Sequence, residues 1–139
     1  RALAMAGELR VLLGKLRRRL REQAHPGDFT WFQKSVLLRL EREGPATVTT
    51  LAKAEGVRPQ SMGATVSVLE AAGFVSGAPD PTDGRQTILS PTASCLEMLK
   101  AGRAARQDWL FHAIQKNFVP QEYEELARAV ELLKRLIDS

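Results

Sequence analysis

The sequence predicts a mainly α-helical protein in which two short helices and a small β hairpin are flanked by long helices at both ends. Three observations carry this expectation. Apolar residues recur at three- and four-residue spacing near both ends of the chain. Two short helical segments are separated by nothing more than Gly56-Val57-Arg58. Two β-prone runs too short to stand alone, "FVSGA" and "QTIL", flank the Asp-Pro-Thr-Asp-Gly-Arg turn. Taken in chain order, they spell a winged helix-turn-helix with a two-stranded wing and long N- and C-terminal helices.

The elements follow one by one. Met5, Leu9, Leu12, Leu13, Leu16 and Leu20 mark an amphipathic helix over about residues 2–23, with Arg10, Lys15, Arg17, Arg18 and Arg21 on its other face. His25, Pro26 and Gly27 are expected to stop it. In "TWFQ", Thr30 and Gln33 occupy capping-box positions, so a second helix starts near Trp31 and buries Phe32, Val36, Leu37 and Leu40. Gly44-Pro45 ends it. Thr47 caps a short helix through Glu55 that turns Leu51 and Ala52 inward, and Gly56 terminates it. Pro59 suits a first helical turn, and that helix runs to Ala72 before Gly73. Thr92 opens a long helix to about Asn117, with Met98, Leu99, Gly102, Ala105, Trp109 and Ala113 near one side. Pro120 starts a last helix on which Tyr123, Leu126, Ala127, Val130, Leu133 and Ile137 keep the helical period.

The totals narrow the class. At 139 residues the chain is one domain's worth, 44% hydrophobic and 26% charged, as soluble globular proteins are. No apolar run approaches the roughly 20 residues of a membrane span, and no signal-peptide pattern opens the chain. A lone cysteine cannot form an internal disulfide. A cytoplasmic protein is therefore expected, and a chain that opens on Arg1 is expected to be a segment of a longer one. The net charge of +4 permits nucleic-acid binding without specifying it. Terminal apolar stripes that outlast a small winged core need a cover, and a symmetric dimer is the simplest.

Along nearly its whole length the chain resembles the MarR family of transcriptional regulators. The resemblance is carried by "LAKAEGV" for the first helix of the motif, "RPQSMGATVSVLEAAGFV" for the recognition helix and first wing strand, and "DPTDGRQTIL" for the wing. The acid-x-Arg pair at the wing tip, Asp83 and Arg85, is its most distinctive part. The chain departs from the family's pattern at Val75-Ser76-Gly77-Ala78, where a basic strand is usual. It departs again at Ala64, where Arg or Lys is common, and at Cys95, where Gly is typical. The resemblance implies a single domain over residues 1–139: a winged core at 30–91, with 1–25, 118–139 and part of 92–117 as dimerisation helices. It further implies a homodimeric, cytoplasmic repressor on a palindromic operator in double-stranded DNA, released by a small aromatic effector.

On the recognition helix, Met62, Val66 and Leu69 face inward, whereas Gln60, Ser61, Ala64, Ser67 and Val68 face away. Near the helix start, Arg58 and Pro59 stand at the entrance. Gln60 can bond adenine, Ser61 can reach a base or phosphate, and Ala64 or Thr65 can touch a thymine methyl. Arg85 suits a narrow minor groove, with Asp83 holding its guanidinium in place. A plain turn with a local ion pair is the alternative. The run Arg17-Arg18-Arg19 with Arg21 reads as a solvated face, as phosphate contacts, or as salt bridges to Glu122, Glu124 and Glu125.

An effector pocket would take His25, Trp31, Phe32 and Trp109 as walls, although the three aromatic rings also suit an ordinary core. No Ser or Cys stands with a His and an acid in a catalytic order, and no Gly-rich phosphate loop is present, so no enzyme and no cofactor are expected. His25 and His112 lack companions at ligand spacing, so neither is a metal ligand. Two other readings stay open: a winged-helix protein-interaction module without specific DNA binding, and a regulator that senses oxidants through Cys95.

Overall fold

The computed structural model describes residues 1–23 and 29–138. Its elements are α1 (Ala2–Gln23), α2 (Trp31–Glu43), β1 (Ala46–Thr47), α3 (Val48–Glu55), α4 (Pro59–Ala71), β2 (Val75–Pro79), β3 (Thr87–Pro91), α5 (Ala93–Asn117) and α6 (Tyr123–Ile137). The expected stop of α1 at His25, Pro26 and Gly27 lies outside the described residues.

Local chemistry sets the boundaries. Thr30 Oγ1 accepts from the Gln33 N–H at 3.1 Å and Gln33 Oε1 accepts from the Thr30 N–H at 3.0 Å, which closes the capping box of α2. Thr47 Oγ1 accepts from the Thr50 N–H at 3.1 Å and starts α3. Gly56, at φ 72°, takes the left-handed conformation that ends α3 without a Cβ clash. Thr92 does two jobs at the head of α5. Its hydroxyl donates to the Gly73 carbonyl at 2.7 Å, and the same oxygen accepts from the Cys95 N–H at 3.1 Å. The last helical region is entered through a single 3-10 turn, Pro120–Glu122, so α6 begins three residues after the proline that opens the segment.

The chain forms two compact units, Arg1–Ala24 with Ala104–Ser139, and His25–Arg103. The second holds the core. Val36, Leu37 and Leu40 of α2 meet Leu51 and Ala52 of α3, then Met62, Val66 and Leu69 of α4. Val75, Leu89, Cys95 and Leu99 complete it. Phe29 and Phe74 pack edge to face at 4.8 Å. Arg103 reaches Glu41 with two hydrogen bonds, 2.9 and 3.2 Å, and joins α5 to α2.

The sheet has three strands in the order β1-β3-β2, all antiparallel. The hairpin expected from "FVSGA" and "QTIL" is β2 and β3, with Gly77 opposite Leu89. The addition is β1, whose Ala46 and Thr47 pair with Leu89 and Ile88. Two residues carry no readable alternation, and Thr47 looks in sequence like a helix cap alone.

The first unit differs in kind. It comprises α1, the end of α5, the 3-10 turn and α6, and none of its described residues is buried. Leu12 is 60% exposed and Ile137 83%, although both lie on the apolar faces that the helical spacing marks.

Candidate nucleic-acid interface

The inward stripe Met62, Val66 and Leu69 anchors α4 and fixes which face is left outside. Arg58, Pro59, Gln60, Ser61 and Ala64 are exposed along its first turns, and Thr65 is half-buried beside them. Arg58 is the N-cap residue, and its guanidinium, which can only donate, makes no cap bond to the first amides of the helix. Pro59 at the first turn lacks an N–H that the helix could not have satisfied. All six expected contact residues of α4 and its entrance thus share one short surface.

The wing tip is a closed hydrogen-bonded turn. The Asp80 N–H donates to the Gln86 carbonyl at 2.9 Å, and the Gln86 N–H donates to the Asp83 carbonyl at 3.0 Å. Asp80 Oδ1 accepts from both the N–H and the hydroxyl of Thr82, which hold its carboxyl below the usual carboxylate range. Asp83 Oδ1 accepts from the Arg85 N–H at 3.1 Å and from its Nε at 3.2 Å. The carboxylate therefore caps the turn and holds the guanidinium with the same oxygen. Arg85 remains 92% exposed along its side chain. It is the sole Lys or Arg between Arg58 and Lys100. Within β2, a Cβ on Gly77 would lie 2.7 Å from Thr87 Cγ2, so this strand has no room for a side chain there unless Thr87 moves.

Sequence reasoning missed one group of residues next to this surface. Glu55, the last residue of α3, has a side chain only 7% exposed. Its Oε1 accepts from Ser35 Oγ at 2.6 Å, and its Oε2 accepts from Arg39 Nε at 2.6 Å. Arg39 also reaches Glu43 at 2.8 Å. The Ser35 hydroxyl, then Arg39, keep the Glu55 carboxyl below its ordinary range despite burial, and Glu55 in turn raises Arg39. The available signal was a glutamate at a helix C-terminus, where the macrodipole disfavours it, with no basic residue three or four positions earlier.

Residues 28–86 match the MarR family. The chain is 37% identical over 134 residues to an HTH-type transcriptional regulator of Mycobacterium tuberculosis, covering 96% of this chain and 93% of that one. The chain belongs to the MarR family. Members of this family are helix-turn-helix transcriptional regulators, not enzymes. The MarR fold is shared with a protein of Pseudomonas aeruginosa, at 32% identity and a TM-score of 0.84 over 99% of this chain and 96% of that one. It is shared too with a mutant of MepR from Staphylococcus aureus whose structure is bound to an oligodeoxyribonucleotide. That match has 18% identity and a TM-score of 0.76, over 95% of this chain and 97% of the other.

The other sequence-derived residues fall out unevenly in this MarR-family chain. His25 lies outside the described residues. Trp31 and Phe32 open α2, Trp31 half-exposed and Phe32 packed against the core of its unit. Trp109 belongs to the helical unit, where the Arg19 guanidinium lies 5.3 Å from its ring centroid. Arg19 and Trp109 border a cleft of about 380 Å³ with His112, Ala113, Lys116 and Asn117. Cys95 is fully buried, and burial followed by Glu41 pushes its thiol above the ordinary value. An oxidant sensor needs an exposed, low-pKa thiol, so the geometry runs against the redox alternative. No helix among the described residues is long and apolar enough to cross a membrane.

Proposed function

We propose that the protein is a cytoplasmic, homodimeric repressor that binds a palindromic operator in double-stranded DNA and leaves it when a small aromatic ligand binds. The carrying observation is the exposed first turns of α4, with Arg85 on a closed wing tip in the same compact unit. Gln60 and Ser61 meet base edges in the major groove, Ala64 and Thr65 meet thymine methyls, and Arg58 meets a guanine or a phosphate. Arg85, aimed by Asp83, enters the adjacent minor groove. The oligodeoxyribonucleotide bound to the MepR mutant supports DNA as the partner.

In this reading residues 1–25 and 118–139, with part of 92–117, are the dimerisation helices, and 30–91 is the winged core. Dimerisation is supported by the exposed apolar faces of α1 and α6, which a second copy would remove from water. Repression and release by an aromatic ligand rest on family membership.

Binding-site selection from random duplexes tests the proposal. Two subunits present α4 to successive major grooves about 34 Å apart, so the selected site is an inverted repeat with half-site centres roughly 10 bp apart. An uncharged Gln60-Ser61-Ala64 face favours adenine and thymine, and the flanks under the wings are A·T-rich. G·C-rich products without a dyad refute it. One observation favours a second reading, a protein-interaction module: from Arg58 to Lys100 only Arg85 adds a positive charge. That reading requires that no duplex be preferred over any other.

A further inference from the structure

The recognition helix is anchored by its own stripe of Met62, Val66 and Leu69, and α3 packs beside it with its first turn held by the Thr47 cap. The C-terminal end of α3 is where the two helices meet through a tight turn. Helix α3 is eight residues long and buries only Leu51 and Ala52. The Thr47 cap and β1 fix the N-terminal end of α3, whereas at its C-terminal end the apolar contacts of Leu51 and Ala52 are non-directional. The Glu55 carboxylate supplies what they lack. Ser35 and Arg39 stand one turn apart on α2, and the two oxygens of Glu55 are divided between them at 2.6 Å each. Charge-assisted bonds of this length are directional, so they locate the C-terminus of α3 along α2 and about its own axis. Gly56, Val57 and Arg58 are all that separates Glu55 from the start of α4. A displacement at Glu55 therefore acts on the entrance of α4, where Arg58, Gln60 and Ser61 stand.

We propose that Ser35, Arg39 and Glu55 are positioning residues for DNA recognition: the shared carboxylate sets the register of the helix-turn-helix on α2, and through it the discrimination of the operator from other DNA. The inference rests on the DNA-binding reading above. None of the three touches DNA. An ion pair with Glu55 7% and Arg39 24% exposed adds little net stability compared with well-packed apolar residues, so the expected signature is lost specificity in a protein that still folds.

The test uses the full chain and the operator it selects. Arg39→Met combined with Glu55→Met removes both charges together and leaves no lone buried charge; Ser35→Ala removes only the anchor on Oε1. Affinity for the operator and for a random duplex is measured by fluorescence anisotropy at one salt concentration, with the salt slope and the melting temperature alongside. The double variant melts within a few degrees of the parent and binds random duplex with the parent's affinity and slope. Its operator affinity falls about tenfold or more, the order of one misplaced bidentate base contact. Ser35→Ala shows a smaller loss of the same kind, and it alone decides the matter if the double variant does not fold. Folded variants that keep the parent's operator-to-random ratio overturn the proposal, as does an equal loss on both duplexes. A parent with no operator preference sinks the DNA-binding reading and this inference together, whereas a discriminating parent with equally discriminating variants sinks this inference alone.

Discussion

Replacing Asp83 with alanine sets two electrostatic effects against each other, and the wing geometry decides between them. Coulomb repulsion alone makes Asp83 a nuisance beside DNA. At roughly 7 Å from a phosphate in water it costs about 0.6 kcal/mol, and physiological salt screens this to about 0.25 kcal/mol. Against that stands the pair on Oδ1, which holds both the Arg85 N–H and its Nε. Without Asp83 a side chain that is 92% exposed has no intramolecular partner to hold it extended, and ordering it on binding costs about 1 kcal/mol. The net is about 0.75 kcal/mol per wing, so a complex with two wings weakens roughly tenfold. Folding stability changes by less than about 1 kcal/mol, since exposed pairs contribute little. Arg85→Ala removes the contact itself and lowers the salt slope by about 2 for two wings. Anisotropy titrations of the selected operator across a salt series measure both variants. If Asp83→Ala binds more tightly than the parent, the carboxylate is a repulsive charge and its positioning role is wrong.

Three further outcomes are expected. Leu126→Asp with Val130→Asp places charges on the apolar face of α6 and should dissociate or unfold the protein; light scattering that finds the parent monomeric at micromolar concentration removes the basis for this expectation. Cys95 should resist alkylation in the native protein near neutral pH and react readily in denaturant, because its thiol is buried and its pKa raised. The lowered pKa of Glu55 contributes stability that is present above the ordinary carboxylate value of about 4.3 and is lost as pH falls through the folded-state value. Glu55→Gln should therefore unfold with a shallower pH dependence on the acid side, read from denaturant midpoints; an unchanged acid limb means that the carboxylate is not held as described.

The helices were legible because their signals are local. Thr30 and Gln33, Thr47, Gly56, Pro59 and Thr92 each announce a boundary within four residues, and the apolar spacing identified Met62, Val66 and Leu69 as the buried stripe of α4. The Asp83–Arg85 pair was legible for the same reason, two positions apart on one turn. The missed features join residues far apart in the chain. Ser35 and Arg39 meet Glu55 across 20 and 16 positions, and Arg103 meets Glu41 across 62. Each such residue alone looks like a solvated polar side chain. Strand β1 escaped because pairing with β3 depends on where Leu89 arrives, and nothing in Ala46-Thr47 encodes that.

That small strand has a consequence for how the molecule opens. Thr47 is at once the partner of Ile88 in the sheet and the residue whose hydroxyl caps α3. Ile88 in turn pairs with Ala78 across the hairpin. Fluctuations that peel β3 away from β1 therefore expose the first amides of α3 as well. Amide exchange in the wing strands and in the first turn of α3 should share one opening free energy, where separate elements would show a spread. A shared value would make wing and helix-turn-helix one cooperative unit, ordered together or lost together; separate values would mean that they open independently.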